Sequence, residues 1–169
     1  MNINNHQKKT YVKKQITLAL LELLKEKAID EISISELTKK AQVGRVSFYR
    51  NYQTKEDILK EESDRLINEW GKLYESNPDS SPQTLFPSLF DFYKQHKDFY
   101  TILYHAGMST IIQETIIRTI QITPEMENIE AYIKSFWAYG IYGWLIEWMK
   151  RGMPESGDEL YQLFKNMNQ

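Results

Sequence analysis

Cysteine is missing altogether from the 169 residues. The chain therefore has no disulfide framework, no thiolate zinc site and no thiol nucleophile, an absence that suits a reducing cytosol. Histidine is scarce: only His6, His96 and His105 occur. His96 and His105 lie on either side of a predicted helix start with no His-x-x-x-His or Glu-x-x-His pair, so solvated or capping roles suit them better than a metal. Glycine and proline are few, at 7 and 5, and no phosphate-cradling glycine loop, Gly-x-Ser-x-Gly elbow or acidic cation loop is present. Without a carboxylate–histidine cluster, an enzyme is the disfavoured class and no cofactor is expected. Glu147, on an apolar helix face, is either a functional carboxylate or an edge residue near a Trp N–H. Long hydrophobic runs are lacking too. The most apolar stretch, AYGIYGWLIEWM (138–149), contains two glycines and Glu147, short of the roughly 18 apolar residues of a membrane span. The N-terminus MNINNHQKKTYVKK carries no apolar signal region. These absences predict a soluble, cytoplasmic protein with no membrane partner.

What is present is divided unevenly. The net charge is -2, yet residues 1–60 hold 12 Lys and Arg against 7 Asp and Glu, and the rest hold 9 against 16. Aromatics run the other way, with 4 of the 22 in residues 1–60. A basic segment beside an acidic, aromatic one suggests that the first part faces a polyanion and the second does not.

Helical spacing dominates and no useful β alternation occurs. Val12, Ile16, Ala19, Leu20 and Leu23 mark a helix over about 10–27. Ser33 with Glu36 three residues on is a capping box opening a short helix at about 34–40. A third covers about 45–51, and Thr54 with Asp57 opens a fourth over about 55–74. SNPDSSPQ (76–83) is the clearest linker. Further helices are expected at about 84–95, 97–106, 109–121, 125–150 and 156–167, punctuated by Gly107, Pro124, Gly152 and Pro154. The fold class is all-α with about nine helices. The expected domains are a helix-turn-helix head at 1–53, a connecting helix at 54–75, and a helical ligand-binding and dimerisation body at 76–169.

The stretch GRVSFYRNYQTK (44–55) carries the sharpest signal. With Phe48 and Tyr52 turned inward against Leu37, Ala41 and Val43, a helical wheel points Val46 and Arg50 outward and flanks them with Ser47 and Tyr49. Arg45 stands at the helix start behind Gly44, the end that helix-turn-helix modules push toward base edges. Arginine can grip guanine bidentately and valine can meet a thymine methyl. Ser47, Tyr49, Asn51 and Lys55 suit phosphate oxygens, as do the helix starts after Ser33 and Thr54. A short helix pair with a polar face in an ordinary all-α protein is the plain alternative.

SISELTKKAQVGRVSFYRNYQTKEDIL (33–59) resembles the N-terminal domain of the TetR/AcrR family of transcriptional repressors. Ser33, Leu37, Ala41, Val43, Ser47, Phe48, Tyr49, Tyr52, Thr54, Lys55 and Glu56 fall at matching positions over about residues 10–60. The resemblance implies that Arg45, Val46 and Ser47 approach bases with Ser35 assisting, and that Ser33, Tyr49, Asn51 and Lys55 hold phosphates. The chain departs from the pattern at three places. Gln42 replaces the turn glycine, where a left-handed backbone costs a non-glycine residue about 1 kcal/mol. Gly44 replaces a capping serine, and Thr38 replaces a packing alanine.

Residues 84–149 hold fourteen aromatics, six of them tyrosine. Such a stripe is either plain core or, given the polar tips of tyrosine and tryptophan, a pocket wall. The resemblance implies an inducer pocket in this body, with Tyr93, Tyr100, Leu103, Tyr104, Trp137 and Tyr139 as candidates and an unknown small molecule as effector. Along the long helix, Trp137, Ile141, Trp144 and Trp148 recur at i, i+4, i+7 and i+11 beside Gly140 and Gly143. This seam, joined by Phe164, is read either as a buried helix face or as the contact of a homodimer, which the family builds from its last two helices. HKDFYTILYHAGMS (96–109) and YGIYGWLIEWMKRGMPESGDEL (139–160) also resemble a C-terminal type found in small regulators of this family, including activators of dihydroxyacetone-kinase operons. The implied function is a homodimeric regulator of double-stranded DNA, a repressor released by its effector. The other reading is a co-regulator acting through protein contacts with weak DNA reading of its own.

Overall fold

The computed structural model describes residues 5–167, with the side chains of His6 and Met167 outside the description. The outermost residues of the expected first and last domains, 1–4 and 168–169, lie outside it as well. Among the described residues there are nine α-helices, one 3-10 turn and no strand. The helices are α1 (Asn5–Leu24), α2 (Ile34–Lys40), α3 (Arg45–Asn51), α4 (Lys55–Ser76), α5 (Pro82–Gln95), α6 (Lys97–His105), α7 (Thr110–Ile120), α8 (Asn128–Lys150) and α9 (Gly157–Met167), with the 3-10 turn at Ile29–Glu31. None is long and apolar enough to cross a membrane. The chain divides into two compact units, 1–63 and 64–169, and α4 runs from the first into the second.

In the first unit α1, α2 and α3 pack on one another and on the opening turns of α4. Ile16, Leu20, Leu37, Phe48, Ile58 and Leu59 are wholly buried. At roughly 1.5–3 kcal/mol per fully buried large apolar side chain, this small core outweighs any single polar contact in the unit. Thr38, at the family's packing-alanine position, is also buried. Its hydroxyl donates to the carbonyls of Ile34 and Ser35 at 2.8 and 3.2 Å, so the extra polar atom is satisfied inside its own helix.

In the second unit α5 packs on α9, α7 on α8, and α6 on both α5 and α8. The α4 end belongs to it through Asp64, whose carboxylate accepts from Thr115 at 3.2 Å and from Arg118 at 2.6 Å on α7. α5 starts two residues earlier than the spacing predicts, because Pro82 is suited to a first helical turn and the Ser81 amide donates to the Thr84 hydroxyl at 2.9 Å. Gly107 and Gly152 adopt φ of +71 and +82 just past α6 and α8. There Met108 N donates to Leu103 O and Met153 N to Trp148 O, the wrap that closes a helix end through a left-handed residue.

Two anchors fix α9 on α5. The Gly157 amide donates to the Asp91 carboxylate at 2.7 Å. The Lys94 ammonium donates to the carbonyls of Pro154 and Glu155, both at 2.9 Å. Ser156 and Glu159 cap the start of α9 reciprocally, at 3.2 and 2.7 Å.

Candidate nucleic-acid interface and ligand cavity

Local hydrogen bonds shape the first unit's outward face. Ser33 Oγ accepts from Glu36 N at 3.1 Å and opens α2. Glu36 itself pairs chiefly with Lys27 at 2.6 Å, which holds its carboxyl below the usual range. α2 ends in a left-handed wrap: Gln42 N donates to Lys39 O at 3.1 Å and Val43 N to Thr38 O at 3.0 Å, with Gln42 at φ +55. The glycine that would adopt this backbone freely is absent, so the turn forms under strain. Gln42→Gly should gain about 0.5–1 kcal/mol net of glycine's larger unfolded-state entropy. At about 2–4 °C per kcal/mol, thermal unfolding should shift up by about 1–4 °C, and an unchanged or lower midpoint would count against strain at this turn.

Gly44 takes an extended N-cap backbone (φ -76, ψ 150) and its carbonyl accepts from Ser47 N at 2.9 Å. It needs no glycine-specific conformation. α3 then buries Phe48 completely and is followed by Tyr52, also buried. Burial first, and the Glu61 carboxylate second, push the Tyr52 hydroxyl above its ordinary range. Lys13 sits 5.3 Å over the Tyr52 ring and pairs with Glu61. This inner side clamps α3 and leaves the opposite side bare. Arg45, Val46, Tyr49 and Arg50 are exposed, Val46 by 69% and Tyr49 by 63%. Neither arginine makes an ion pair among the described residues. Ser35 is exposed on α2 with Lys39 one turn on, a cation that the sequence reading passed over although its i, i+4 spacing from Ser35 was legible. Ser47 is half-buried.

Three expected contacts are turned to other work. Lys55 donates to the carbonyls of Ile29 and Ile32, at 2.7 Å for the latter, and so ties the turn before α2 to the start of α4. Asn51 Nδ2 donates to Ser47 O at 2.7 Å, while its Oδ1 is buried without a partner. Thr54 caps α4: its hydroxyl accepts from Asp57 N at 3.2 Å, while the Asp57 carboxylate accepts from Thr54 N at 2.8 Å and Gln53 N at 3.0 Å. These amide bonds, Thr54's foremost, hold the Asp57 carboxyl below its usual range.

Within the second unit, a cavity of about 470 Å³ opens among α4, α5, α7 and α8. Trp70, Phe86, Tyr93, Ile116, Lys134 and Trp137 are among its lining residues. Of the expected pocket residues, Tyr93 and Trp137 line it. Tyr100 and Leu103 are buried elsewhere in the core, Tyr104 is half-buried away from it, and Tyr139 is 55% exposed.

Trp148 is only 3% exposed and packs on Phe90 with ring centroids 5.5 Å apart. Trp144 meets Phe86 at 5.9 Å, and Trp137 meets Phe164 at 5.5 Å. Ile141 lines the cavity. These side chains of α8 therefore contact α5, α9 and the cavity of their own protomer, with Trp137 still 40% exposed. The face of α8 left bare carries Ile129, Tyr132, Ile133, Phe136 and Tyr139, with Gly140 and Gly143 continuing it. Phe136, at 72% exposed, stands out most. Glu147 is exposed and pairs with Arg151 at 2.8 Å, which holds its carboxyl below the usual range. Among the described residues no cluster of metal-binding side chains forms.

Comparison with known proteins agrees with this architecture. The family profile described as "Bacterial regulatory proteins, tetR family" matches residues 16–61. A second, "Transcriptional regulator C-terminal region", matches residues 80–169, more than half of the chain. The uncharacterized HTH-type transcriptional regulator YxbF of Bacillus subtilis (strain 168) is 24% identical over 164 positions, covering 88% of this chain. The chain spans only 42% of that relative's length. Among solved structures, the dihydroxyacetone kinase operon activator DhaS superposes with a TM-score of 0.53 at 20% identity, covering 92% of this chain and 93% of that one. That likeness is one of fold. With a helix-turn-helix head at one end and the matched helical region at the other, the chain belongs to the TetR family of transcriptional regulators.

Proposed function

We propose that the chain acts as a homodimeric repressor that reads duplex DNA with α3 and releases it when a small molecule fills the second unit's cavity. The observation that carries the reading is the bare quartet Arg45, Val46, Tyr49 and Arg50, set on a helix clamped from behind by Phe48 and Tyr52. Exposed apolar and cationic side chains on one short, rigid helix suit a major groove, where apolar contact and bidentate arginine both discriminate bases. Arg45, Val46 and Ser47 are assigned to bases. Ser33, Ser35, Lys39, Tyr49 and Arg50 are assigned to the phosphates around them. Lys55, Asn51 and Thr54 act as the frame.

Two such helices engage successive half-sites if a second copy packs on the bare α8 face. The stripe from Ile129 through Phe136 to Gly143 is uncharged along its length, and contiguous exposed apolar surface of this kind marks an interaction site.

Selection of bound fragments from random duplex DNA tests the reading, with affinity falling steeply as salt rises. On a selected site, Arg45→Ala should cost about 1–3 kcal/mol and relax choice at one base position. Failure to enrich any duplex sequence would sink the repressor reading, and a uniform loss across all sequences would move Arg45 to the phosphate set.

A further inference from the structure

The surface that lines the cavity in the second unit is almost wholly apolar. Of its lining residues, Ile67, Tyr93 and Ile116 are buried while Leu85 and Trp137 are exposed, so the space runs from the surface into the core. Several polar groups of the lining residues are taken by neighbours within the protein. The Trp70 indole N–H donates to Ser88 Oγ at 2.8 Å, and the Thr119 hydroxyl donates to Thr115 O at 2.8 Å. Lys134 is the one charged residue of the lining, and its ammonium pairs at 3.0 Å with Glu130, one turn back on α8 and outside the lining. Tyr93 stacks its ring on Tyr100 with centroids 4.4 Å apart, and burial alone pushes its hydroxyl above the ordinary tyrosine range, so it carries no charge. The wall therefore sets almost no polar surface against whatever enters.

From this near absence of polar surface we infer that the cavity takes an uncharged, predominantly apolar small molecule and rejects its ionised analogues of either sign. An apolar molecule entering here leaves water for apolar wall, and an apolar cavity gives up no hydrogen bonds when it is filled. An ion of the same shape would lose its hydration with nothing on the wall to replace it, which costs far more than apolar contact returns. Selection is therefore by charge and size rather than by hydrogen bonds. A cavity of about 470 Å³ lies within the roughly 300–1,000 Å³ of small-molecule sites. One turn of α-helix, about 10–12 Å across and 5.4 Å long, would already fill it, so a free molecule suits the space better than a segment of a second copy. The inference rests on the effector reading proposed above and names the chemistry of that effector.

Trp70 and Trp137 stand in the wall, so tryptophan fluorescence of the full chain without DNA reports occupancy. The probes are naphthalene, 2-naphthoate and 2-naphthylmethylammonium, which share one ring system and differ in charge. Naphthalene should bind about tenfold or more tighter than either ion. Leu89→Trp, which fills part of the space from α5, should weaken naphthalene by about tenfold or more, and Ile120→Phe does the same from α7 should the first variant fold poorly. Leu73→Trp, outside the lining, should leave the affinity unchanged. Either ion binding as tightly as naphthalene overturns the charge selection. Naphthalene affinity that survives both filling substitutions places the site elsewhere and overturns the assignment to this cavity, and no binding of any probe overturns the whole inference. The repressor reading fails separately: naphthalene that binds as expected without releasing a selected DNA fragment would leave the ligand class standing and remove the effector role.

Discussion

Phe136→Glu should turn the protein into a monomer in sedimentation and weaken binding to a selected DNA site by roughly 10²–10⁴-fold, the range over which linking two binding modules raises avidity. The expectation starts from the 72% exposure of Phe136 in the middle of the bare α8 stripe. In a two-fold contact the same patch meets itself, so one substitution sets two carboxylates against each other in a place that is being dried. A monomer still carries one intact α3 but loses the second half-site. Leu73→Glu is the matched control: Leu73 is 57% exposed on α4, off the stripe, and its carboxylate should leave the dimer intact. A Phe136→Glu protein that sediments as a dimer would place the contact elsewhere on the molecule.

Gly157→Ala should lower the unfolding temperature by roughly 2–12 °C without touching any DNA or ligand residue. A Cβ at Gly157 would stand 2.1 Å from the Pro87 carbonyl oxygen and 2.8 Å from its carbon, both backbone atoms that cannot rotate away. α9 must then lift from α5, and the 2.7 Å bond from the Gly157 amide to Asp91 stretches with it. Overpacking of this kind costs about 1–3 kcal/mol, at about 2–4 °C each. Gly71, a helical glycine with nothing within 4 Å of a built Cβ, provides the contrast. Gly71→Ala should raise stability by about 0.5–1 kcal/mol. If the two alanines behave alike, the close approach at Pro87 is not what constrains the position.

The first unit was the more legible part. Its caps, Ser33 and Thr54, act within four residues, and its inner face repeats at one helical turn, so Leu37, Ala41, Phe48 and Tyr52 could be placed inside before any coordinates. α2 and α3 keep the predicted bounds for the same reason. The bonds of Lys55 are not legible in the sequence, because its acceptors, the Ile29 and Ile32 carbonyls, lie more than twenty residues back and no periodicity reports where a loop carbonyl will point. α8 was harder still. Tryptophan, tyrosine, phenylalanine and isoleucine surround its whole circumference, so every face reads as buried and spacing could not choose between them.

The order of apolar and capping residues was by itself enough to determine an all-α chain with a helix-turn-helix at residues 33–51 and an arginine-bearing outer face, because those features depend on neighbours within one or two turns. Only the tertiary structure decided which side of α8 meets α5 and α9, which side stays bare, and that Tyr93 and Lys134 share the wall of one cavity. Empty space and helix facing arise when several segments compete to cover the same apolar surface, and no single segment encodes the outcome of that competition.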